Sequence, residues 1–159
     1  MSNKIWEFTG ETKIHLGTTL KRIRAAVGFE LKCGVVIGKG ELGGWIEKES
    51  NLSGNAWVSG NAKVSDNAEV SGNAEVYGNA WVYGDAKVKS SEDYCVYKNT
   101  WSSFRWFTYT RSNKMWSVGC FHGTGAELIA KAYKDSEKSG KCYEAIVKAQ
   151  EAIEKEMEV

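Results

Sequence analysis

Apolar residues return every six positions through the middle of the chain. Leu52 is followed at this spacing by six valines, the last of which is Val88, and an alanine lies two places before each valine. Asn or Asp precedes every alanine, usually after a glycine. A helix needs apolar contacts three and four residues apart, and a simple hairpin alternates more strictly with fewer glycines. The period therefore predicts short strands separated by sharp corners.

Three such hexads would close one triangular turn, and successive turns would stack at the usual strand separation of roughly 4.8 Å. The aliphatic residue would fill a flat side of the interior and the alanine the narrower space near a corner. Gly-Asn would form the bend, which requires residues that tolerate positive φ. Aliphatic residues 18 apart would stack in three columns, namely Val58 with Val76, Val64 with Val82, and Leu52 with Val70 and Val88.

Both ends of this stack need a cover, because seven hexads make only about two turns and leave unpaired backbone edges. The flanking segments must cover these edges, or other subunits must help. Leu42, Trp45 and Ile46 stand just before the first turn. We expect Trp45 to cover the open end of the apolar core.

The flanks predict further strands and then helices. Before the repeat, Ile5–Phe8, Lys13–Leu16 and Thr19–Val27 favour short strands. After it, residues 94–121 hold nine of the nineteen aromatic residues, in two runs around Arg-Ser-Asn-Lys that predict a β-hairpin. The two faces of this hairpin would carry Phe104, Trp106 and Thr108 on one side, and Arg105, Phe107 and Tyr109 on the other.

Two helices should complete the chain. Thr124 and Glu127 have the spacing of a capping box, which predicts a helix start. A polar break over Lys134–Gly140 separates this helix from a second one. The expected apolar stripes are Leu128, Ile129, Ala132 and Tyr133 in the first helix, and Ile146, Ala149, Ile153 and Met157 in the second. The expected i,i+4 pairs are Glu144 with Lys148 and Glu151 with Lys155.

We therefore predict a mostly β chain with four parts. These are an N-terminal β segment and cap (1–50), the hexapeptide repeat (51–89), an aromatic and basic β-hairpin (90–123) and C-terminal helices (124–159).

Composition adds little about partners. The 21 Lys and Arg nearly balance the 20 Asp and Glu, although residues 94–125 contain no acid. The four cysteines are far apart and form no CxxC pair, so we predict neither a metal site nor disulfides. Without a signal peptide or an apolar run near 20 residues, the chain is expected to be intracellular and not bound to membranes.

Several motifs together resemble a known family. "FTGETK", "LKRIRA", "LGGWIEKESNLSGNAWV", the GNA-V hexads and "GCFHGT" before a helix are similar to hexapeptide-repeat proteins of tailed phages and prophages. The resemblance implies a short left-handed parallel β-helix of about two coils, capped by the N-terminal segment. It also implies a homotrimer in the cytoplasm of the bacterial host.

The sequence predicts no enzyme, cofactor or metal. Many left-handed β-helix proteins are acyltransferases that use a histidine base, and others are zinc enzymes with three histidine ligands. This chain has only His15 and His122, and both lie outside the hexads. Each is expected to be a structural or surface residue.

Binding is the favoured class of function. Outward positions of the repeat vary, and four of them are aromatic side chains suited to an oligomer or partner interface, namely Trp57, Tyr77, Trp81 and Tyr83. We expect self-association together with a host protein as partner. Small phage proteins without catalytic residues often inhibit host defence systems, so an anti-CRISPR-like inhibitor is the sharpest form of this hypothesis.

Two alternatives stay open. The first is binding of single-stranded nucleic acid, with phosphate-neutralising and base-stacking residues in the hairpin segment, namely Trp101, Arg105, Trp106, Tyr109, Arg111, Lys114 and Trp116. The second is capture of a small ligand, such as a nucleotide, between subunits. A purely structural role in the virion is also open.

Overall fold

The structure, a computed structural model, describes residues 4–158. It is mostly β with two C-terminal helices. The chain begins with an antiparallel hairpin of β1 (Trp6–His15) and β2 (Thr18–Ala25), which turns at Leu16 and Gly17 with positive φ at both residues. The two strands expected at Ile5–Phe8 and Lys13–Leu16 are therefore parts of one strand, β1. The intervening Thr-Gly-Glu-Thr forms a bulge, where Gly10 adopts φ +93°. A small hairpin of β3 (Phe29–Glu30) and β4 (Val36–Ile37) follows.

The repeat forms three parallel ladders with the predicted offset of 18 residues. Its strands are β5 (Leu42–Ile46), β6 (Trp57–Val58), β7 (Lys63–Val64), β8 (Glu69–Val70), β9 (Glu75–Val76), β10 (Trp81–Val82) and β11 (Lys87–Val88). The first ladder joins β5, β7 and β10, and the second joins β6 and β9. The third joins Leu52, β8 and β11. All three predicted columns of aliphatic residues are confirmed.

The interior and the corners also follow the prediction. Every valine and alanine of the repeat is fully or almost fully buried in one core. Five corner glycines, at positions 54, 60, 72, 78 and 84, adopt positive φ, and Asp66 does so at the corner that lacks glycine. The periodic glycines therefore supply the positive φ that the bends need, and an aspartate supplies it at one corner.

The prediction for Trp45 is wrong. Ile46 pairs with Val64, so β5 is an earlier rung of the first ladder and the ladders begin before residue 51. Gly44 takes the corner position of the alanines, where an added Cβ would lie 2.7 Å from the carbonyl oxygen of Ala62. Because side chains alternate along a strand, Trp45 points outward. There the ammonium of Lys13 lies 4.1 Å from the centre of its ring.

The two open edges of the ladders are covered by the flanks, as expected. On the N-terminal side, β2 pairs antiparallel with β5 and extends the first ladder into a five-stranded sheet. On the C-terminal side, residues 4–158 form no further turn that could accept the forward-pointing N–H groups. In the preceding turn, for example, the N–H of Lys63 donates to the carbonyl of Ala80 at 2.9 Å.

Side-chain oxygens replace the missing carbonyls at this edge. The backbone N–H of Trp81 donates to Oγ1 of Thr108, and that of Lys87 to Oγ of Ser112, both at 2.8 Å. The N–H group of Glu75 donates to the side chain of Ser91, that of Tyr77 to Tyr94, and that of Lys89 to Asp93. We call this set of contacts the hydroxyl cap, since four of its five acceptors are hydroxyls.

The acceptors come largely from a four-stranded antiparallel sheet that crosses the end of the ladders. It contains β12 (Tyr94–Lys98), β13 (Trp106–Thr110), β14 (Met115–Val118) and β15 (Phe121–Thr124). The predicted hairpin is confirmed as β13 and β14, the middle of this sheet. Thr108 faces the ladders, whereas Phe107 and Tyr109 lie in a second core with the helices.

The helices are α1 (Gly125–Asp135) and α2 (Glu137–Met157), and the Thr124 cap is confirmed. The predicted break is too long, because only Ser136 separates the helices and its Oγ caps α2 by accepting from the N–H of Ser139. Gly140 lies within α2, where the ring of Tyr133 leaves no space for a Cβ.

The apolar stripe predicted for α2 is also wrong. Its buried positions include Tyr143, Val147, Gln150 and Glu154, whereas Ile153 and Met157 are exposed. Two polar residues take buried positions because they accept hydrogen bonds from phenol groups of the sheet. Tyr97 donates to Gln150 and Tyr109 donates to Glu154. The predicted Glu144–Lys148 ion pair forms at 3.1 Å, but no Glu151–Lys155 pair is present among the described residues.

The hydroxyl cap should contribute measurably to stability. Thr108→Val keeps the side-chain shape and leaves the backbone N–H of Trp81 without its acceptor. We expect a loss of roughly 1–3 kcal/mol in the free energy of unfolding, the cost of an unpaired buried donor. Thr100→Val, at an exposed loop position, is the matched control. Urea unfolding measures both, and an equal, small effect of the two substitutions would contradict a stabilising cap.

Candidate ligand-binding groove

A groove of about 510 Å³ lies where the tip of the β1–β2 hairpin faces the C-terminal sheet across the first ladder. We call it the aromatic groove. Its lining residues are His15, Leu16, Lys63, Asn79, Trp81, Arg105, Trp106, Gly119 and Cys120. They come from all three β regions of the chain, so the groove exists only when the flanks are docked on the repeat.

The repeat positions two of the groove residues. Lys63 and Trp81 occupy the same outward position in neighbouring rungs and are direct partners in the ladder, as predicted. The indole Nε1–H of Trp81 donates to Oγ of Ser65 at 2.8 Å, which holds the ring against the wall. The ring of His15 meets it edge-on, with centroids 4.9 Å apart.

The contact between Trp81 and His15 belongs to a longer row of rings. Tyr83 packs on Trp81 at 4.7 Å, and His122 packs edge-on against Tyr83 at the same distance. Nδ1 of His122 lies 3.0 Å from Oγ of Ser117 on the C-terminal sheet. The row therefore connects the N-terminal hairpin to the C-terminal sheet and supports one side of the groove.

Positive charge accumulates at the hairpin end without a close counter-ion. Burial lowers the pKa of Lys63, and the ammonium of Lys13 lowers it further. Burial also lowers the pKa of His15, with added repulsion from Lys63 and Lys13. Within residues 4–158, no carboxylate forms an ion pair with Lys13, Lys63 or Arg105. Lys13 and Lys63 repel each other, and an anion bound near them would relieve that repulsion.

The residues predicted for the repeat interface are mostly covered by the chain itself. Trp57 is 1% exposed, because the β3–β4 hairpin places Phe29 against its ring at 5.2 Å. Trp81 and Tyr83 are half-buried in the row of rings. Only Tyr77, at 59% exposure, offers a free aromatic surface. Trp57 is therefore not available to a partner in this structure.

The seven residues predicted in the hairpin segment are dispersed. Tyr109 and Trp116 are buried in the second core, where their rings meet at 4.8 Å. Trp101 packs on Tyr143 and donates from its indole to Ser139. Of the whole set, including Arg111 and Lys114, only Arg105 and Trp106 line the aromatic groove.

Sequence reasoning missed the role of His15 and the grouping of Lys63 with Arg105. The ladder register already placed Lys63 beside Trp81. The contribution of His15 depends on the direction in which the β1–β2 hairpin leaves β5, and no residue pattern specifies that direction.

Comparisons with protein-family models, curated proteins and solved structures find no significant match to the chain. The resemblance to the phage hexapeptide-repeat family therefore stays a prediction. In the part of the chain that the structure describes, no group of three or more His, Cys, Asp and Glu side chains could hold a metal ion. None of the helices in that part is long and apolar enough to cross a membrane.

The two histidines should make stability depend on pH. Burial lowers the pKa of His122 as well as that of His15, although Asp85 and other acids oppose the shift at His122. The unfolded chain then binds more protons than the folded protein as the pH falls below about 6.5, so stability decreases there. We expect the drop in melting temperature between pH 7.5 and 5.5 to be smaller in His122→Gln and His15→Gln than in the parent protein. An unchanged drop in both variants would show that neither histidine is held neutral by the fold.

Proposed function

We propose that this chain is a binding protein, not an enzyme, and that it holds the phosphates and bases of nucleotide units in the aromatic groove. One observation carries the proposal: the cations Lys63 and Arg105 line the groove together with the rings of Trp81 and Trp106, and the groove lining contains no carboxylate. Cations with accessible aromatic rings are the combination by which proteins bind nucleotide units without reading sequence.

The aromatic and the basic side chains would contribute differently to binding, the first by stacking on bases and the second by contacting phosphates. Trp106 is 46% exposed, so part of its ring is free to stack on a base, a contact worth roughly 1–3 kcal/mol. Lys63 is half-buried, and its ammonium donates to the carbonyl of Asn61 at 3.1 Å, which limits its freedom to move away. Arg105, which lines the same groove, can present two N–H donors to a phosphate.

The scaffold proposed for this groove is a left-handed β-helix of the phage hexapeptide-repeat type. The 18-residue ladder offset and the positive φ at the corner glycines support a triangular coil. The left-handed sense, the phage or prophage origin and the host cytoplasm come from the sequence resemblance. A rigid wall of this kind holds Lys63 and Trp81 at fixed spacing before any ligand arrives.

A second candidate is binding of a host protein, including a host-defence component. It is favoured by the exposure of large aromatic residues on the C-terminal side, where Phe104 is 64% exposed in addition to Tyr77 and Trp106. Self-association into a trimer would use surface of the same kind. Exposed aromatic side chains of this type anchor protein interfaces.

Binding of a thymidine dinucleotide at low salt, measured by titration calorimetry, tests the first proposal. We expect Trp106→Ala and Lys63→Gln each to weaken binding about five-fold or more, since each removes a stacking or phosphate contact. Phe104→Ala and Lys87→Gln are matched controls, because these exposed residues do not line the groove. Affinity should also fall as salt is raised.

No binding by the parent protein, or equal losses in the controls, would overturn the proposal.

The host-protein candidate predicts a different set of variants that lose binding. Capture of a host protein from bacterial lysate should then be lost in Phe104→Ala as well as in Trp106→Ala. If the lysate returns only the chain itself, the host-partner hypothesis fails and self-association is left.

A further inference from the structure

A second groove of about 350 Å³ adjoins the aromatic groove. We call it the tyrosine groove, after Tyr77 and Tyr94, which line it together with Ser91 and Val96. Asn79 and Trp106 line both grooves. The two grooves therefore lie next to each other, with Trp106 at the boundary between them, and we call the pair the depression.

The rings along this depression are not equivalent. Tyr94 is buried, and its hydroxyl belongs to the hydroxyl cap, where it donates to the carbonyl of Glu75 at 2.8 Å. Tyr77 and Trp106 instead are 59% and 46% exposed and make no ring–ring contact with other aromatic residues of the described chain. Two partly exposed aromatic rings thus line the tyrosine groove together.

Charge is distributed unevenly along the same path. Lys63 and Arg105 lie in the aromatic groove, and the ammonium of Lys98 lies 5.4 Å from the ring centre of Trp106 at the boundary. The tyrosine groove has no charged residue in its lining. Phosphates would therefore concentrate at the aromatic groove and the boundary, while the far end offers only stacking and uncharged hydrogen-bonding groups.

We propose that the ligand is a single strand of nucleic acid several nucleotides long, which crosses Trp106 and occupies both grooves. This inference rests on the proposed function of the aromatic groove and extends it. The strand must be single, because the base faces needed by Trp106 and Tyr77 are stacked against one another inside a duplex. Bases stack on these two rings, and phosphates lie near Lys63, Arg105 and Lys98.

A comparison of strand lengths tests this inference. The parent protein should bind a thymidine hexanucleotide at least about ten-fold more tightly than the dinucleotide, because a second stacking site is reached. Tyr77→Ala should remove about five-fold or more of the affinity for the hexanucleotide and leave dinucleotide affinity unchanged. Phe104→Ala, an equally exposed aromatic outside both grooves, should change neither affinity. A DNA duplex long enough to stay paired at the assay temperature should bind more weakly than the single strand.

The outcomes separate this inference from the proposed function. If the dinucleotide binds and the hexanucleotide gains no more than the roughly five-fold expected from its five dinucleotide registers, the aromatic groove acts alone and the extended path is wrong. Equal losses in Tyr77→Ala and Phe104→Ala would also overturn it. If neither ligand binds, the proposed function fails first. Binding of a host protein that is lost in Tyr77→Ala, without nucleic-acid binding, would assign the depression to a protein partner.

Discussion

The structure depends on one constraint, which is that every backbone amide directed along the stack of ladders needs an acceptor. Inside the repeat the next turn supplies a carbonyl, as Ala80 does for Lys63. A regular repeat can never satisfy its own last turn, because the pattern that continues it also renews the unpaired edge. The chain resolves this by changing the acceptor. The hydroxyls of Ser91, Tyr94, Thr108 and Ser112 accept where carbonyls would have stood.

This cap determines where the groove can form. Thr108 must face the ladders, so the alternating residues Phe107 and Tyr109 point into the second core with the helices. Trp106 stands at the start of the same strand, beyond the covered edge, and keeps part of its surface exposed. At the other end of the repeat, pairing of β2 with β5 directs the hairpin tip and His15 toward the same wall. The groove is the space between the two covers.

The parallel ladders of the repeat could be predicted from the sequence, whereas the aromatic groove could be predicted only in part. The hexad period predicts the ladder register and the positions of Val, Ala and Gly because each repeat repeats the same local environment. It also places Lys63 beside Trp81. The environment of Trp57 depends on Phe29, which is remote in sequence, and that of Trp116 depends on helix α2. No local sequence pattern predicts such docking. The sequence therefore predicts exposed aromatic side chains at positions that other parts of the chain cover in the structure.

The same reasoning explains the error in α2. Gln150 and Glu154 are polar, so a hydrophobic stripe excludes them, yet they are buried as acceptors for Tyr97 and Tyr109. A buried phenol needs a partner, and the chain supplies it from the helix. The polar residues at these two buried positions of α2 are thus explained by the tyrosines of the sheet. The apolar periodicity of the helix alone cannot predict them.

The indole N–H signals of the seven tryptophans, followed by two-dimensional NMR during titration with a single-stranded hexanucleotide, test the central claim most directly. Each tryptophan can be assigned by single substitution. We predict large shifts for Trp106 and Trp81, which line the aromatic groove, and none for Trp57 and Trp116, which are buried in the two cores. Unchanged Trp106 and Trp81 signals at saturating ligand would contradict the account.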